Sequence, residues 1–405
     1  KTLSSNKKKY ILHDGPPYAN GDLHLGHALN KILKDIVCRS KFQNNFDVEF
    51  VPGWDCHGLP IEWKVEEKFK KKGHQKNEVD VIKFRKECRE FADHWVNEQK
   101  IQFSRLGINT DWKEIYLTMN KNSELSIVKE LLKFLESGDL FLGFKPVMWS
   151  VVEQTALAEA EIEYHDKISK SIYVKFPSKN DSKNISIVIW TTTPWTIPCN
   201  KAIAYSTKLK YLCIEIQEVY PNLNLKKGEQ LIIAETLLSD FLDKNGIKEY
   251  KILEPVENQK IKELVCNHPL KNLGFDFDVK IYPSEHVTDD NGTGFVHIAP
   301  NHGQDDFDLG KKYDLGNDPT VDERGIYEKN IHFFKGMHVF KSDQIVIEQL
   351  NIAKNILSDS NYDHSYPHSW RSKAPLIFRA TSQWFISMEK NNLRKKALQE
   401  IENVK

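Results

Sequence analysis

No two cysteines in this chain stand as C-x-x-C, and the six present, Cys38, Cys56, Cys88, Cys199, Cys213 and Cys266, repeat no interval. That argues against both a cysteine zinc site and a disulfide framework. No apolar run approaches the roughly 20 residues needed to cross a bilayer. From Lys1 onward the chain is polar, with no signal-peptide core. The expectation is a cytoplasmic protein with no membrane partner. Neither sign of charge is in excess, since Lys plus Arg and Asp plus Glu number 57 each. A nucleic-acid partner would have to be met by local patches and not by bulk charge. Lysines cluster at Lys7 to Lys9 and from Lys68 to Lys76, where a solvated face and an RNA contact both remain open. No internal repeat or low-complexity segment is evident.

At 405 residues, 40% hydrophobic and 28% charged, the chain reads as globular and too long for one ordinary core. Its most informative stretch runs from His13 to Val37. Tyr10 to Leu12 suits a buried strand, Gly15-Pro16-Pro17 breaks it, and Leu29, Ile32, Leu33, Ile36 and Val37 recur at helical spacing. Strand, loop and helix in that order place the loop at the carboxyl edge of a parallel sheet, beside a helix N-terminus whose N–H groups and dipole suit a phosphate. His24 and His27 lie three apart there, with Gly26 between them to permit close approach. They read either as donors to a phosphate that gains charge in a transition state or as surface or metal-binding histidines.

Asp47 to Val51 reads as a second strand, and the loop after Pro52-Gly53 carries Trp54, Asp55, His57 and Glu62, again at a ligand edge. Phe84, Cys88, Phe91, Trp95 and Val96 predict a long helix or a bent pair of helices between Asn77 and Leu106, stopped at Gly107. Leu125, Val128, Leu131, Leu132 and Leu135 predict another over 124–136, capped by Asn122 or Ser123, with those leucines as its core stripe. From about Lys170 to Gln349, short β-rich runs alternate with turns: 172–176, 185–190, 211–216, 230–234 and 294–298. That texture predicts an inserted β-rich, barrel-like domain. Thr191, Thr192 and Thr193 put three hydroxyls at a strand end, which by itself is also what β-propensity produces.

Taken together, His13-Asp-Gly-Pro-Pro-Tyr-Ala-Asn-Gly-Asp-Leu-His-Leu-Gly-His27 resembles the ATP-binding signature of class I aminoacyl-tRNA synthetases. Its flanks and Gly53-Trp54-Asp55-Cys56-His57 resemble the isoleucyl branch. Trp190 to Asn200, Gly292 to Pro300 and His302 to Asp306 are similar to the editing pocket of the isoleucyl, valyl and leucyl members.

The resemblance implies an α/β Rossmann-like doubly wound parallel sheet, incomplete here. It gives the first half of the catalytic domain over 1–163, an editing insertion over 164–365 and a return to the catalytic domain over 366–405. It implies ATP-dependent ligation of isoleucine to its tRNA through an aminoacyl-adenylate, with hydrolytic editing of misactivated valine. His24 and His27 would be catalytic and, with Asn20 and Gly26, would bind ATP, which arrives with Mg2+. Gly15, Pro16, Asp55 and Trp384 would hold the amino acid, although Trp384 could equally be core. Thr191, Thr192, Thr193, Asn200, His297 and Asp306 would form the editing site. Relatives often place zinc-binding cysteines after the tryptophan that matches Trp149; here Ser150-Val-Val-Glu-Gln154 follows, so no zinc is expected. The second class I signature is absent from these residues, so this fragment is not expected to charge tRNA unaided. A monomer whose partners are isoleucine tRNA, isoleucine, valine and ATP is the implied state. A valyl relative, a stand-alone editing hydrolase and a nucleotidyltransferase of the same superfamily are the alternatives.

Overall fold

The computed structural model describes residues 7–74, 78–180, 184–218 and 220–404. Lys76 of the second lysine run, Asn77 and Lys405 lie outside the described residues. The chain divides into two compact units, Lys1–Phe141 with Phe385–Lys405, and Leu142–Trp384.

The first unit runs β1 (Lys9–Leu12), α1 (Leu25–Gln43), β2 (Asp47–Phe50), β3 (Gly53–Trp54), α2 (Leu59–Lys71), α3 (Val81–Arg105), β4 (Tyr116–Leu117) and α4 (Lys121–Glu136). β1 and β2 pair in parallel, Lys9 opposite Asp47 and Leu12 opposite Phe50, with α1 as the crossover between them. β3 and β4 form a second parallel pair. The core collects Trp54, Ile61, Val96 and Phe103. The Trp54 indole N–H donates to buried Gln99 Oε1 at 2.9 Å, so the largest core side chain also has its polar atom satisfied. Asp80 caps α3, its carboxylate accepting from Lys83 N at 3.0 Å. In the returning segment, Asn391 Nδ2 donates to both oxygens of Asp139 at 2.9 Å, and Lys390 Nζ reaches Gly138 O at 2.9 Å.

Two amphipathic stripes face the other way from expectation. On α1 the buried positions are Lys31, Asp35 and Cys38, while Leu29, Ile32, Leu33, Ile36 and Val37 are exposed. The buried face is held by polar pairing: Lys31 and Lys34 both reach Asp14, and Asp35 Oδ1 accepts from Asn109 N at 2.9 Å. On α4 no residue is buried, and Leu125, Val128, Leu131, Leu132 and Leu135 are all exposed. Its N-cap is Asn120, not Asn122 or Ser123, because the helix already starts at Lys121. In the second lysine run, Lys68 pairs with Glu87 and Lys70 with buried Glu66.

The second unit takes in most of β5 (Leu140–Ser150) and contains β6 (Thr155–Ala156), β7 (Ile162–Pro177), β8 (Ile185–Thr191), β9 (Ala202–Tyr205), β10 (Tyr211–Ile216), β11 (Gln230–Ala234), α5 (Leu238–Asn245), β12 (Tyr250–Val256), α6 (Asn258–Glu263), β13 (Val265–Asn267), β14 (Asp278–Pro283), β15 (Phe295–Ile298), α7 (Gln304–Lys312), α8 (Asp343–Ile352) and β16 (Ile356–Ser369). These strands build a six-stranded sheet ordered β12-β10-β11-β8-β7-β16 and a four-stranded sheet ordered β13-β14-β9-β15. Among the described residues both sheets are open, so the β-rich insertion is found and the expected barrel-like closure is not. β7 and β16 form a long antiparallel ribbon, from Ile356 opposite Val174 to Ser369 opposite Ile162, and the expected boundaries at 163/164 and 365/366 fall together on it. One core cluster draws on both sheets, with Ile172, Phe176, Ile187, Ile203, Val279 and Phe295 among its buried members. Where cysteines were considered, buried Glu153 instead accepts from Ser150 and from Ser369 Oγ, the latter at 2.7 Å.

Gly294 sits at φ +81, where a Cβ would come within 2.4 Å of Ala234 Cβ, whereas Gly228 at φ +82 has nothing within 4 Å. Gly228→Ala should therefore cost about 1 to 2 kcal/mol, the left-handed penalty alone. Gly294→Ala should cost roughly 1 to 3 kcal/mol more through overpacking. Urea denaturation checks this, and equal midpoints for the two variants would contradict it.

Candidate functional site

His24 is the N-cap of α1, with its backbone extended and its Nδ1 accepting from Gly26 N at 3.1 Å and His27 N at 3.4 Å. His27 Nδ1 in turn accepts from His24 N at 3.4 Å, and the two rings stack with centroids 3.7 Å apart and planes 20° apart. Because each Nδ1 is an acceptor, each neutral ring carries its proton on Nε2. Two parallel imidazoles thus present two N–H donors at a helix N-terminus, an arrangement suited to phosphate oxygens. Burial, then the neighbouring His24 and Lys31, lower the His27 pKa, favouring the neutral ring. The helix N-terminus is not open, as the sequence suggested, but already capped by His24. Gly26 explains its own place in the motif, since a Cβ there would lie 3.0 Å from His24 Cε1.

The loop ahead of α1 is laced to the loop after β3. Asp14 Oδ2 accepts from Gly53 N at 3.0 Å, Asp55 N donates to Pro17 O at 2.8 Å, and Ala19 N donates to Asp55 O at 3.0 Å. A Cβ on Gly53 would stand 3.4 Å from Pro16 Cβ, so Gly15, Pro16 and Asp55 share one neighbourhood. Asp55 Oδ1 accepts from Thr118 Oγ1 and His57 N, both at 3.3 Å. Asn20 lies half-buried in the same loop, next to buried Ala19. Trp384 belongs to the second unit and is 66% exposed.

Two residues of this region carried no signal that we read. Gln99 Nε2 donates to Tyr18 O at 3.1 Å and Gly21 O at 2.7 Å, and Gln102 accepts from Leu23 N at 2.9 Å and donates to Asp22 Oδ1 at 2.7 Å. A pair of glutamines three apart on α3 therefore holds the whole 18–23 loop. Only their shared helix face could have revealed them. Nearby, a cavity of about 690 Å³ is lined by Cys56, His57, Glu62, Arg89 and Glu124 among others. His57 Nε2 lies 3.2 Å from Glu124 Oε1, and Arg89 pairs with the same carboxylate.

The second group lies in the second unit, at the ends of β8 and β15. Thr191 Oγ1 is 3.1 Å from Thr193 Oγ1, Thr193 Oγ1 is 3.4 Å from Thr196 Oγ1, and Thr196 Oγ1 is 3.0 Å from His297 Nε2. The structure thus joins Thr191, Thr193 and His297 through Thr196, which no motif in the sequence marks. Thr192 is half-buried. Buried Asn200 donates to Ala202 O at 2.8 Å, and its Oδ1 has no protein partner. Asp306, in the first turn of α7, accepts from Ala299 N at 3.0 Å, one residue beyond β15. Burial raises the Asp306 pKa to about 7, against the pull of the Ala299 N–H.

Among the described residues no three His, Cys, Asp or Glu side chains gather as a metal site, and no helix is long and apolar enough to span a membrane.

Gly26→Ala isolates the His24 cap. Alanine in place of a helical glycine ordinarily gains up to about 1 kcal/mol. Here its Cβ would press on the capping ring, and a lost cap costs about 0.5 to 2 kcal/mol. No net gain in thermal stability is expected; a full gain of about 1 kcal/mol would contradict the cap.

A family model described as "tRNA synthetases class I (I, L, M and V)" matches residues 1–405. An isoleucine–tRNA ligase of Pelagibacter ubique strain HTCC1062 is 51% identical over 99% of this chain and 44% of its own length. One from Caulobacter vibrioides is 47% identical over 97% of this chain and 42% of its own length. The chain thus spans less than half the length of these curated relatives. A solved complex from Agrobacterium radiobacter K84, titled as LeuRS with tRNA and LeuAMS, is 17% identical over 93% of this chain and 46% of that one. Its TM-score of 0.35 is too low for any comparison of architecture. With that family model matching residues 1–405, the chain belongs to the class I tRNA synthetases of the I, L, M and V group.

Proposed function

We propose that these residues carry the ATP site and the editing site of an enzyme that ligates isoleucine to its tRNA through an aminoacyl-adenylate and hydrolyses misactivated valine. The observation that carries the reading is the stacked His24–His27 pair, whose two Nε2–H groups stand at the N-terminus of α1. ATP, brought as its magnesium complex, would set its phosphates against those donors, with Gly26 and Asn20 allowing the approach. Asp55, beside Gly15 and Pro16, would take the substrate ammonium. The names of the curated relatives support isoleucine as the amino acid. Isoleucine tRNA is the proposed partner of a cytoplasmic monomer, with no call for zinc or a membrane.

A second site follows from magnitudes. One methylene separates valine from isoleucine and is worth only about 1 to 3 kcal/mol in a hydrophobic pocket. A smaller pocket that hydrolyses what the first accepts in error supplies the remaining discrimination. In the second unit, Asp306 would hold the ammonium of a misactivated residue. Thr191, Thr192, Thr193 and Asn200 would place the ester and its attacking water, and His297 would limit side-chain size.

The test is deacylation of valyl and isoleucyl forms of isoleucine tRNA by the chain and its variants. Asp306→Ala should slow valine release roughly tenfold to a hundredfold, since a hydrogen bond to a charged group is worth about 1.5 to 3 kcal/mol. His297→Ala should admit isoleucine. The carboxylate form binds the ammonium, so KM for the wild type should fall as pH rises through about 7, and Asp306→Asn should lose that dependence. Undiminished valine hydrolysis by Asp306→Ala would remove that residue from the reading. Hydrolysis of a threonyl ester of valine tRNA in preference to valyl isoleucine tRNA would favour a valyl enzyme.

A further inference from the structure

Three imidazoles are deeply set in the second unit, and two of them use both nitrogens. His268 Nε2 faces Ile197 O at 3.1 Å and its Nδ1 accepts from Leu270 N at 3.1 Å. His302 Nδ1 faces Phe378 O at 2.9 Å and its Nε2 lies 2.8 Å from Thr320 Oγ1. His297 differs: Nε2 meets Thr196 Oγ1, and Nδ1 is buried with no protein partner. Which nitrogen carries the proton decides what that spare atom can do.

The Thr196 hydroxyl has one proton and, besides Thr193 Oγ1 at 3.4 Å, two closer claimants. It lies 2.8 Å from Thr193 O, which can only accept, and 3.0 Å from His297 Nε2. Donation to Nε2 would put the ring proton on Nδ1 and leave a buried N–H unsatisfied, a rarer outcome than a bare acceptor. Donation to Thr193 O makes Thr196 Oγ1 an acceptor for an Nε2–H and leaves Nδ1 as a lone pair. Both the shorter distance and the bookkeeping of donors point the same way.

We propose that Thr196 is a positioning residue that locks His297 as the Nε2–H tautomer, so that Nδ1 stands ready to accept a hydrogen bond from an N–H or O–H of the bound substrate or its attacking water. His297 then selects by hydrogen bonding as well as by size. The acceptor role rests on the editing reading; the tautomer does not.

Histidine-selective 15N spectra of the whole 405-residue chain read the tautomer directly, with His297 assigned by its loss in His297→Gln. In the wild type, Nε2 should appear as the protonated nitrogen and Nδ1 as the bare one. Thr196→Val should mix the tautomers, and Thr196→Ser, which keeps the hydroxyl, should restore the wild-type pattern. A wild-type Nδ1–H, or an unchanged spectrum in Thr196→Val, overturns the lock. In deacylation of valyl isoleucine tRNA, Thr196→Val should act roughly three- to tenfold more slowly, the loss of one neutral hydrogen bond, and Thr196→Ser should recover. An unaltered rate in Thr196→Val overturns the acceptor role. A locked tautomer in a wild type with no hydrolysis at all would instead overturn the editing reading, and the acceptor role with it.

Discussion

Buried polar atoms and the free N–H groups of a helix end need partners, and in this chain that constraint separates the atoms held by the fold from those left over for chemistry. His24 Nδ1 and His27 Nδ1 are spent on the first turn of α1, which leaves two Nε2–H groups outward. His268 and His302 are spent on backbone and hydroxyl partners, which leaves them structural. Asn200 Oδ1 and His297 Nδ1 have no protein partner, and His297 adjoins the hydroxyl cluster through Thr196. An unsatisfied buried group costs about 1 to 3 kcal/mol, so such atoms persist where a ligand or water completes them.

The same burial sets the charge of the second site. Burial holds His297 and His302 at about 4 and His268 at about 3. These folded values lie below the ordinary imidazole value, so the unfolded chain binds more protons in between. Stability is therefore lost as pH falls through about 6.5. Asp306 has the opposite sign: its folded value of about 7 lies above that of a free carboxyl, so its contribution favours folding at lower pH and is lost as pH rises toward 7. An ammonium beside Asp306 would reverse that cost, linking the pocket's own strain to substrate binding.

Much of this was legible in the residues. The strand, loop and helix around His24, the second strand ending before Gly53, and the β-runs 211–216 and 230–234 follow from apolar periodicity and breakers, and the structure places elements there. The threonines and His297 were legible as separate strings, but the link between them was not, because Thr196 sits in a short 3-10 turn whose side-chain direction no periodicity reveals. The helix faces were misread for a physical reason. An apolar stripe predicts burial only where something covers it, and on α1 the buried side is instead set by Asp14 and Asp35 drawing Lys31, Lys34 and Asn109 inward. Gln99 and Gln102 escaped notice because they hold backbone atoms, and which backbone lies near a helix is known only from the fold.

The central claim is that burial and hydrogen bonding, not protonation, define the working state of the imidazoles in the second site. A histidine ring NMR titration of the 405-residue chain tests it directly. The resonances of His268, His297 and His302 should hold their neutral shifts from about pH 8 to about pH 5. A midpoint near 6.5 for His297 would show a charged, solvated ring and would contradict the account.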